Sequence, residues 1–277
     1  MLASFVVSMR PYREAPIGRT IGRSLHALLL NMLVEVNPAM AQAFHDDAPV
    51  KPFTVSMLQG RFTERGYRRF VRPDETYRVR YTVLAVELFE ALSYILFEKQ
   101  LDREAVIIDG HPYQLVDINA EPEVTDGWGR LASFEQMMEE AGIADKLILE
   151  FRSPTTFRQG KLQLLFPLPE NVFGSYLRRW NGTAPVDLDA SKVLDAAVAH
   201  VVAERYRLET RVVPYGEAQY NGFVGYCQYR ILTDDIETRR VFNLLADFAL
   251  FAGTGQKTTQ GMGQTRRLAE LPRPSFA

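Results

Sequence analysis

One order of elements is written twice along the 277 residues, and it constrains the fold more than any other feature. Leu2–Met9 is an apolar run with β-branched members and predicts a strand. Gly18 and Thr20 introduce a helix to about Val36, because Leu25, Leu28, Leu29, Met32, Leu33 and Val36 recur at the spacing of one buried face. Asn37-Pro38 breaks it, and Pro38–Phe44 reads as a short second helix with proline in its first turn. Phe53–Leu58 and Tyr77–Val86 predict strands, Leu88–Gln100 a helix, and Ala105–Asp109 a closing strand. The second half follows suit. Lys146–Arg152 predicts a strand, and residues 169–203 are mainly helical with a break at Asn181-Gly182. Arg205–Val213 and Phe223–Ile231 pair as a hairpin through the Pro214–Gly222 loop. Glu237–Phe251 is a helix with Val241, Leu244, Leu245, Phe248 and Phe251 facing inward, and Met262–Leu268 closes the unit.

The order β-α-β-β-α-β, given twice, predicts an α+β protein of two tandem ferredoxin-like (RRM-like) domains, each an antiparallel sheet backed by helices. The expected division is residues 1–140 and 141–277, packed closely because no Ser/Gly linker separates them. A 47% hydrophobic, 24% charged composition excludes disordered and low-complexity classes. The single cysteine, Cys227, excludes an internal disulfide framework and a Cys-rich zinc module. The amino terminus lacks a basic segment and a cleavage site, and Glu87 and Glu90 interrupt the apolar stretch from Val83 to Phe97. The reading is therefore a cytoplasmic protein with no membrane partner.

The net charge of −2 conceals an asymmetry. Residues 84–150 hold 15 acidic and 4 basic side chains, so the rest hold 19 acidic and 28 basic, local sums of −11 and +9. Such a split is what a protein with one face toward a polyanion can show. From charge alone, an acidic surface offsetting a mixed one is the simpler account.

The most unusual local sequence runs from Gly253 to Gly263 and holds four glycines (Gly253, Gly255, Gly261, Gly263) around Lys257. Glycines permit positive φ and hold no side chain between a ligand and the backbone, so successive N–H groups can converge on an anion. A Walker A loop is excluded, since Gln256 stands where glycine must precede lysine and a helix precedes the loop. A Rossmann fingerprint fails on the same context. In a double ferredoxin-like protein such a loop, with Arg266 beyond it, suits a phosphodiester chain. Arg61, Arg65, Arg68, Arg69, Arg72, Arg78 and Arg80 form a second basic concentration; each alone reads as a solvated arginine, and Arg68 and Arg69 are the pair to test against a phosphodiester backbone. Arg158, with Arg152, Lys161, Arg178 and Arg179, belongs to a third.

Four histidines supply the side chains that titrate near neutrality: His26, His45, His111 and His200. His26 beside a buried helix face and His200 in an alanine-rich helix read as packing residues, and His111 before Pro112 as an exposed turn residue. His45 ends a short helix and enters a loop with Lys51 six residues on, which places an imidazole and an ammonium in one connection. The histidines are dispersed, and the pairs Asp46-Asp47 and Asp234-Asp235 lack the partners of a two-metal nuclease, so no metal or cofactor is expected.

Three segments resemble a known family, the CRISPR-associated repeat-processing endoribonucleases, or sixth Cas family. They are His45-Asp-Asp-Ala-Pro-Val-Lys-Pro-Phe-Thr-Val-Ser-Met-Leu58; Phe151-Arg-Ser-Pro-Thr-Thr-Phe157 with Phe166–Phe173 and Leu177-Arg-Arg-Trp-Asn181; and Ala246-Asp-Phe-Ala249 through the loop to Gly263. The resemblance implies cleavage of CRISPR repeat RNA (pre-crRNA) without metal, by attack of the 2′-hydroxyl, leaving 2′,3′-cyclic phosphate and 5′-hydroxyl ends. It implies His45 and Lys51 as catalytic residues. Some relatives add a tyrosine on the first helix, but this chain has none between Tyr12 and Tyr67, and Leu30 and Asn31 occupy that region. His26 and Asn31 are then the second-choice partners. The alternative is a catalytically idle repeat-RNA-binding subunit of an effector complex; a small-molecule phosphate enzyme is a third reading. Association with other Cas effector subunits and homodimerisation stay open at this point.

Overall fold

β1 (Leu2–Pro11) is buried along nearly its whole length, on both faces of the sheet. In the computed structural model the described residues are 1–18, 21–45, 50–215 and 218–272. They form two units. The first contains residues 1–132, with 214–219 and 257–262. After β1 come β2 (Ala15–Pro16), α1 (Ile21–Val36), α2 (Pro38–His45) and β3 (Phe53–Val55). β4 (Thr63–Arg65) and β5 (Arg68–Val71) make a hairpin before β6 (Tyr77–Val83). α3 (Val86–Leu101), β7 (Val106–Ile108), β8 (His111–Asn119) and β9 (Arg130–Ala132) complete the unit.

Its main sheet has the order β3-β6-β1-β8-β7, with β9 also pairing β1. Phe5, Val7 and Met9 of β1 and Tyr77, Val79, Tyr81 and Val83 of β6 face a core filled by Leu25, Leu28, Leu29 and Leu33 of α1 and Leu88, Leu92 and Leu96 of α3. The expected face of α1 is therefore the buried one, with Val36 partly buried at its end. The expected closing strand is corrected. Residues 106–108 do not pair with β1; β8 does, with Met9 opposite Leu115 and Val7 opposite Ile118. Asp109 and Gly110 both take positive φ (51° and 75°) and turn the chain from β7 into β8. That is the two-residue Asp-Gly hairpin signal, and β7 is the outer arm of that hairpin. His111 accordingly opens a strand and is half-buried, where a turn with an exposed side chain was expected.

The second unit contains residues 133–213, 220–256 and 263–277. α4 (Phe134–Glu139) leads into β10 (Lys146–Thr155) and the hairpin of β11 (Phe157–Gln159) and β12 (Leu162–Leu164). α5 (Pro169–Asn181), α6 (Ala190–His200), β13 (Val201–Tyr215), β14 (Ala218–Ile231), α7 (Ile236–Ala252) and β15 (Thr265–Leu268) follow. The sheet order β13-β14-β10-β15 matches β3-β6-β1-β8 strand for strand, so both halves are ferredoxin-like. The helical stretch stops at His200, short of the expected Ala203, because the β-branched Val201-Val202 pair opens β13. An aromatic cluster fixes α5 against α7 and α4: Phe173–Phe242 at 4.9 Å, Trp180–Phe248 at 5.1 Å and Phe134–Trp180 at 5.2 Å between centroids. Edge-to-face pairs of this kind are each worth about 0.5–1.5 kcal/mol beyond their area. Among the described residues no helix is long and apolar enough to cross a membrane.

Candidate active site and nucleic-acid interface

The tip of the glycine-rich loop, residues 257–262, is part of the first unit. Lys257 takes φ 56°, and a single 3-10 turn follows over Thr258–Gln260. Gly261 reverses the chain at φ 99° and forms a parallel bridge with Ser56, just past β3. The carbonyl of Thr259 lies 3.1 Å from Nδ1 of His26 on α1. A carbonyl oxygen can only accept, so Nδ1 carries the hydrogen, and the lone pair of the neutral ring is on Nε2. The ring stacks on Phe53 at the start of β3, 5.5 Å between centroids and 28° from parallel. Phe53 in turn meets Phe44 of α2 at 6.0 Å. His26 is only partly buried, so its packing contacts leave it reachable from solvent.

Lys51 donates from Nζ to the carbonyl of Phe44 at 2.5 Å. That carbonyl belongs to the peptide bond leading into His45, the last residue of α2, so the ammonium closes the carboxy-terminal end of this helix, where positive charge is favoured. Lys51 and the His45 backbone thus lie together in the first unit, two residues before the ring on which His26 stacks. The His45 side chain and the adjoining residues 46–49 lie outside the described residues. Asn31 is exposed, and five residues beyond His26 it stands about 140° around the helix, so it does not share His26's face. His200 is exposed at the end of α6. His111 keeps its Nδ1 buried with no hydrogen-bond partner.

The neck of the loop belongs to the second unit, and its amides are occupied. Gly253 caps α7 and donates to Ala249 O at 2.9 Å; Thr254 donates to Gly263 O at 2.8 Å, Gln256 to Thr156 O at 3.0 Å, and Gly263 to Pro154 O at 3.1 Å. At the tip, Gln260 and Met262 both donate to Lys257 O. The neck bonds occupy the amides of Gly253 and Gly263, while Gly255 stands at a point of close packing. At Gly255 (φ 74°) a Cβ would stand 2.3 Å from Thr156 O. A buried chain of hydroxyls, Tyr176 to Thr254 at 2.6 Å and Thr254 to Thr265 at 2.7 Å, ties the neck to α5. Burial raises the Tyr176 phenol well above its ordinary range, so this tyrosine is a scaffold hydroxyl with no part in proton transfer near neutrality.

The arginines fall into two groups. Arg68 and Arg69 are exposed on the β4–β5 hairpin, with Arg69 over the Phe62 ring at 4.4 Å. Arg158 is exposed beside a cleft of about 370 Å³ that also takes in Asn171, Arg178 and Gly255. Other arginines are committed to the protein. Arg65 makes a bidentate pair with Glu14, Arg72 pairs with Asp74, and Arg80 is 2% exposed, under the Trp128 ring at 4.8 Å. Arg266 donates from Nε to Glu150 at 2.7 Å, where Glu150 is only 5% exposed. Among the described residues no three His, Cys, Asp or Glu side chains gather in a group that could hold a metal ion. Sequence reasoning passed over Phe53 and Thr259: a phenylalanine two residues after Lys51 is a readable signal, whereas a backbone carbonyl leaves none.

Two family profiles match nearly the whole chain, the CRISPR Cas6 N-terminal domain over residues 1–139 and the CRISPR-associated endoribonuclease Cas6 over residues 149–265. The chain belongs to the Cas6 family. The resemblance read from the three segments is borne out. A Cas6 of Thermus thermophilus solved as a product complex is 25% identical, aligns over 97% of this chain and 100% of its own, and gives a TM-score of 0.83. A second Cas6 product complex, 24% identical, covers 97% and 99% at a TM-score of 0.74. A Cas6-related protein from Pyrococcus furiosus, 13% identical, shares the fold at a TM-score of 0.63 over 98% and 100%. Among curated proteins no sequence matches significantly. Membership makes this chain one of the CRISPR-associated repeat-processing endoribonucleases, on a double ferredoxin-like fold.

Proposed function

We propose that this Cas6 cleaves CRISPR repeat RNA without metal, by transesterification within the RNA. The 2′-hydroxyl attacks the adjacent phosphorus, the P–O2′ bond forms and the P–O5′ bond breaks. Its proton passes to a base, and an acid protonates the departing 5′-oxygen, leaving a 2′,3′-cyclic phosphate and a 5′-hydroxyl. His26 suits the base, since its neutral tautomer carries the lone pair on Nε2. His45 is the second proton carrier, and Lys51, held at the peptide bond before it, supplies positive charge beside the phosphorane-like transition state.

The observation that carries this reading is the imidazole of His26 held by Thr259 at the tip of the glycine-rich loop, in the same unit as the Lys51 ammonium. It is supported by the family's description as an endoribonuclease and by a relative solved as a product complex. The exposed Arg68, Arg69 and Arg158 are proposed to hold the RNA backbone, with Lys257 at the loop tip. Arg266 is a weaker candidate, because it already pairs with Glu150.

The test is single-turnover cleavage of labelled repeat RNA by His26→Ala, His45→Ala and Lys51→Ala, each beside a binding measurement. The expected losses for the two histidines are ~10²–10⁴-fold in rate with binding retained. Wild-type rates in both histidine variants contradict the assignment, and binding without cleavage by the wild-type protein makes it an idle RNA-binding module.

A further inference from the structure

We infer that the glycine-rich loop serves catalysis as a positioning device for His26, and that Gly22 is the residue that admits it. The inference rests on His26 taking part in cleavage. Gly22 and His26 stand one turn apart on α1 and share a face. The loop lays two successive carbonyls on that face. Thr259 O meets Nδ1 of His26 at 3.1 Å. Gln260 O lies so close over Gly22 that a Cβ there would be 2.0 Å from it and 2.7 Å from the Gln260 carbonyl carbon.

Helix geometry does not explain this glycine. Gly22 is not among the residues with positive φ, and inside a helix glycine is less favourable than alanine by about 1 kcal/mol. What requires it is the chain lying on top of it. A side chain at position 22 would force the Gln260 carbonyl back by about 1 Å or more, since real Cβ contacts are not found under 3.0 Å. Thr259, one residue earlier, would move with it. The opposite side of the tip packs on a side chain: a Cβ at Gly261, itself at φ 99°, would stand 2.5 Å from Sδ of Met57. The tip is therefore wedged between α1 and the segment after β3, and the wedge sets where the Thr259 carbonyl points.

The consequence is chemical. With Thr259 O in place the neutral imidazole is fixed as the Nδ1–H tautomer, and its basic Nε2 is presented in one orientation. Displacing that carbonyl removes the acceptor that favours the Nδ1–H form. Gly22 and Thr259 are positioning residues in this account: neither needs to touch RNA.

The experiment uses the full-length protein and combines kinetics with ¹⁵N NMR of the histidine rings. In the wild type, His26 is expected as the Nδ1–H tautomer; a predominant Nε2–H tautomer overturns the inference before any variant is made. Gly22→Ala is expected to stay folded, because alanine suits the helix, and to bind repeat RNA within about twofold of wild type. Its single-turnover rate should fall ~10–100-fold, the scale of a 1 Å misplacement, and the His26 tautomers should become mixed. In a His26→Ala background, Gly22→Ala should lower the rate no further. A Gly22→Ala protein with wild-type rate and an unchanged tautomer overturns the inference while His26→Ala remains inactive. Full activity of His26→Ala instead overturns the catalytic reading, and the tautomer shift in Gly22→Ala then still decides the positioning claim by itself. If Gly22→Ala does not fold, Gly261→Ala gives the same pair of readouts from the other side of the wedge.

Discussion

The glycine-rich loop and the arginine-rich hairpin are both unusual in composition, and both read from sequence as places where RNA could bind, yet they are built in opposite ways. The loop is held inward: its neck amides go to Ala249, Gly263, Thr156 and Pro154, and its tip lies on α1 and beside Ser56. The β4–β5 hairpin presents Arg68 and Arg69 outward, while its neighbours Arg65 and Arg72 are paired to Glu14 and Asp74. Glycine reports that something approaches the backbone closely, and here much of what approaches is the protein itself. An arginine reports a charge that must end in water, on a carboxylate or on a ligand, and only the fold says which.

The two regions should respond differently to substitution. The largest effect is expected at the neck. Gly255→Val places a β-branched residue at φ 74° with its Cβ 2.3 Å from Thr156 O, and should cost about 2–4 kcal/mol of stability in urea unfolding. A loss under about 0.5 kcal/mol means that the neck yields easily and the loop is not the rigid part described. Arg266→Met comes next. It leaves the nearly buried Glu150 with only the more distant Arg152, 3.9 Å away, and should destabilise by about 1–3 kcal/mol while leaving the salt dependence of RNA binding unchanged. A lowered salt slope would put Arg266 on the RNA after all. The smallest change in stability belongs to the double variant Arg68→Ala/Arg69→Ala, within about 0.5 kcal/mol of wild type. Its binding should nevertheless weaken, with the slope of log K against log salt reduced by roughly 1.5, the value for two lost phosphate contacts. An unchanged slope removes the hairpin from the interface.

Much of the scaffold was legible because apolar spacing is local information. The period of Leu25, Leu28, Leu29, Met32 and Leu33 names the buried face of α1 without any knowledge of the sheet beneath it. Strand pairing is not local. Val106–Ile108 has the apolar, β-branched character of a closing strand, but the Asp109-Gly110 turn hands that role to β8, whose half-polar sequence argues less strongly for itself. The site divides in the same way. Lys51 beside the end of α2 followed from proximity in sequence. The tie between His26 and Thr259 joins residues 233 apart through a backbone atom, and no side-chain pattern encodes it. That is why His26 reads as a packing residue in one dimension and stands at the candidate site in three.

The most direct test of a cleavage carried by imidazole and ammonium groups is the chemistry of the cut ends made with divalent metal removed. Repeat RNA incubated with the wild-type protein in excess EDTA should be cut at one phosphodiester, and mass spectrometry should find a 2′,3′-cyclic phosphate (or its opened form) on one fragment and a 5′-hydroxyl on the other. Cleavage that appears only on adding a divalent ion, or that leaves a 5′-phosphate, contradicts the account.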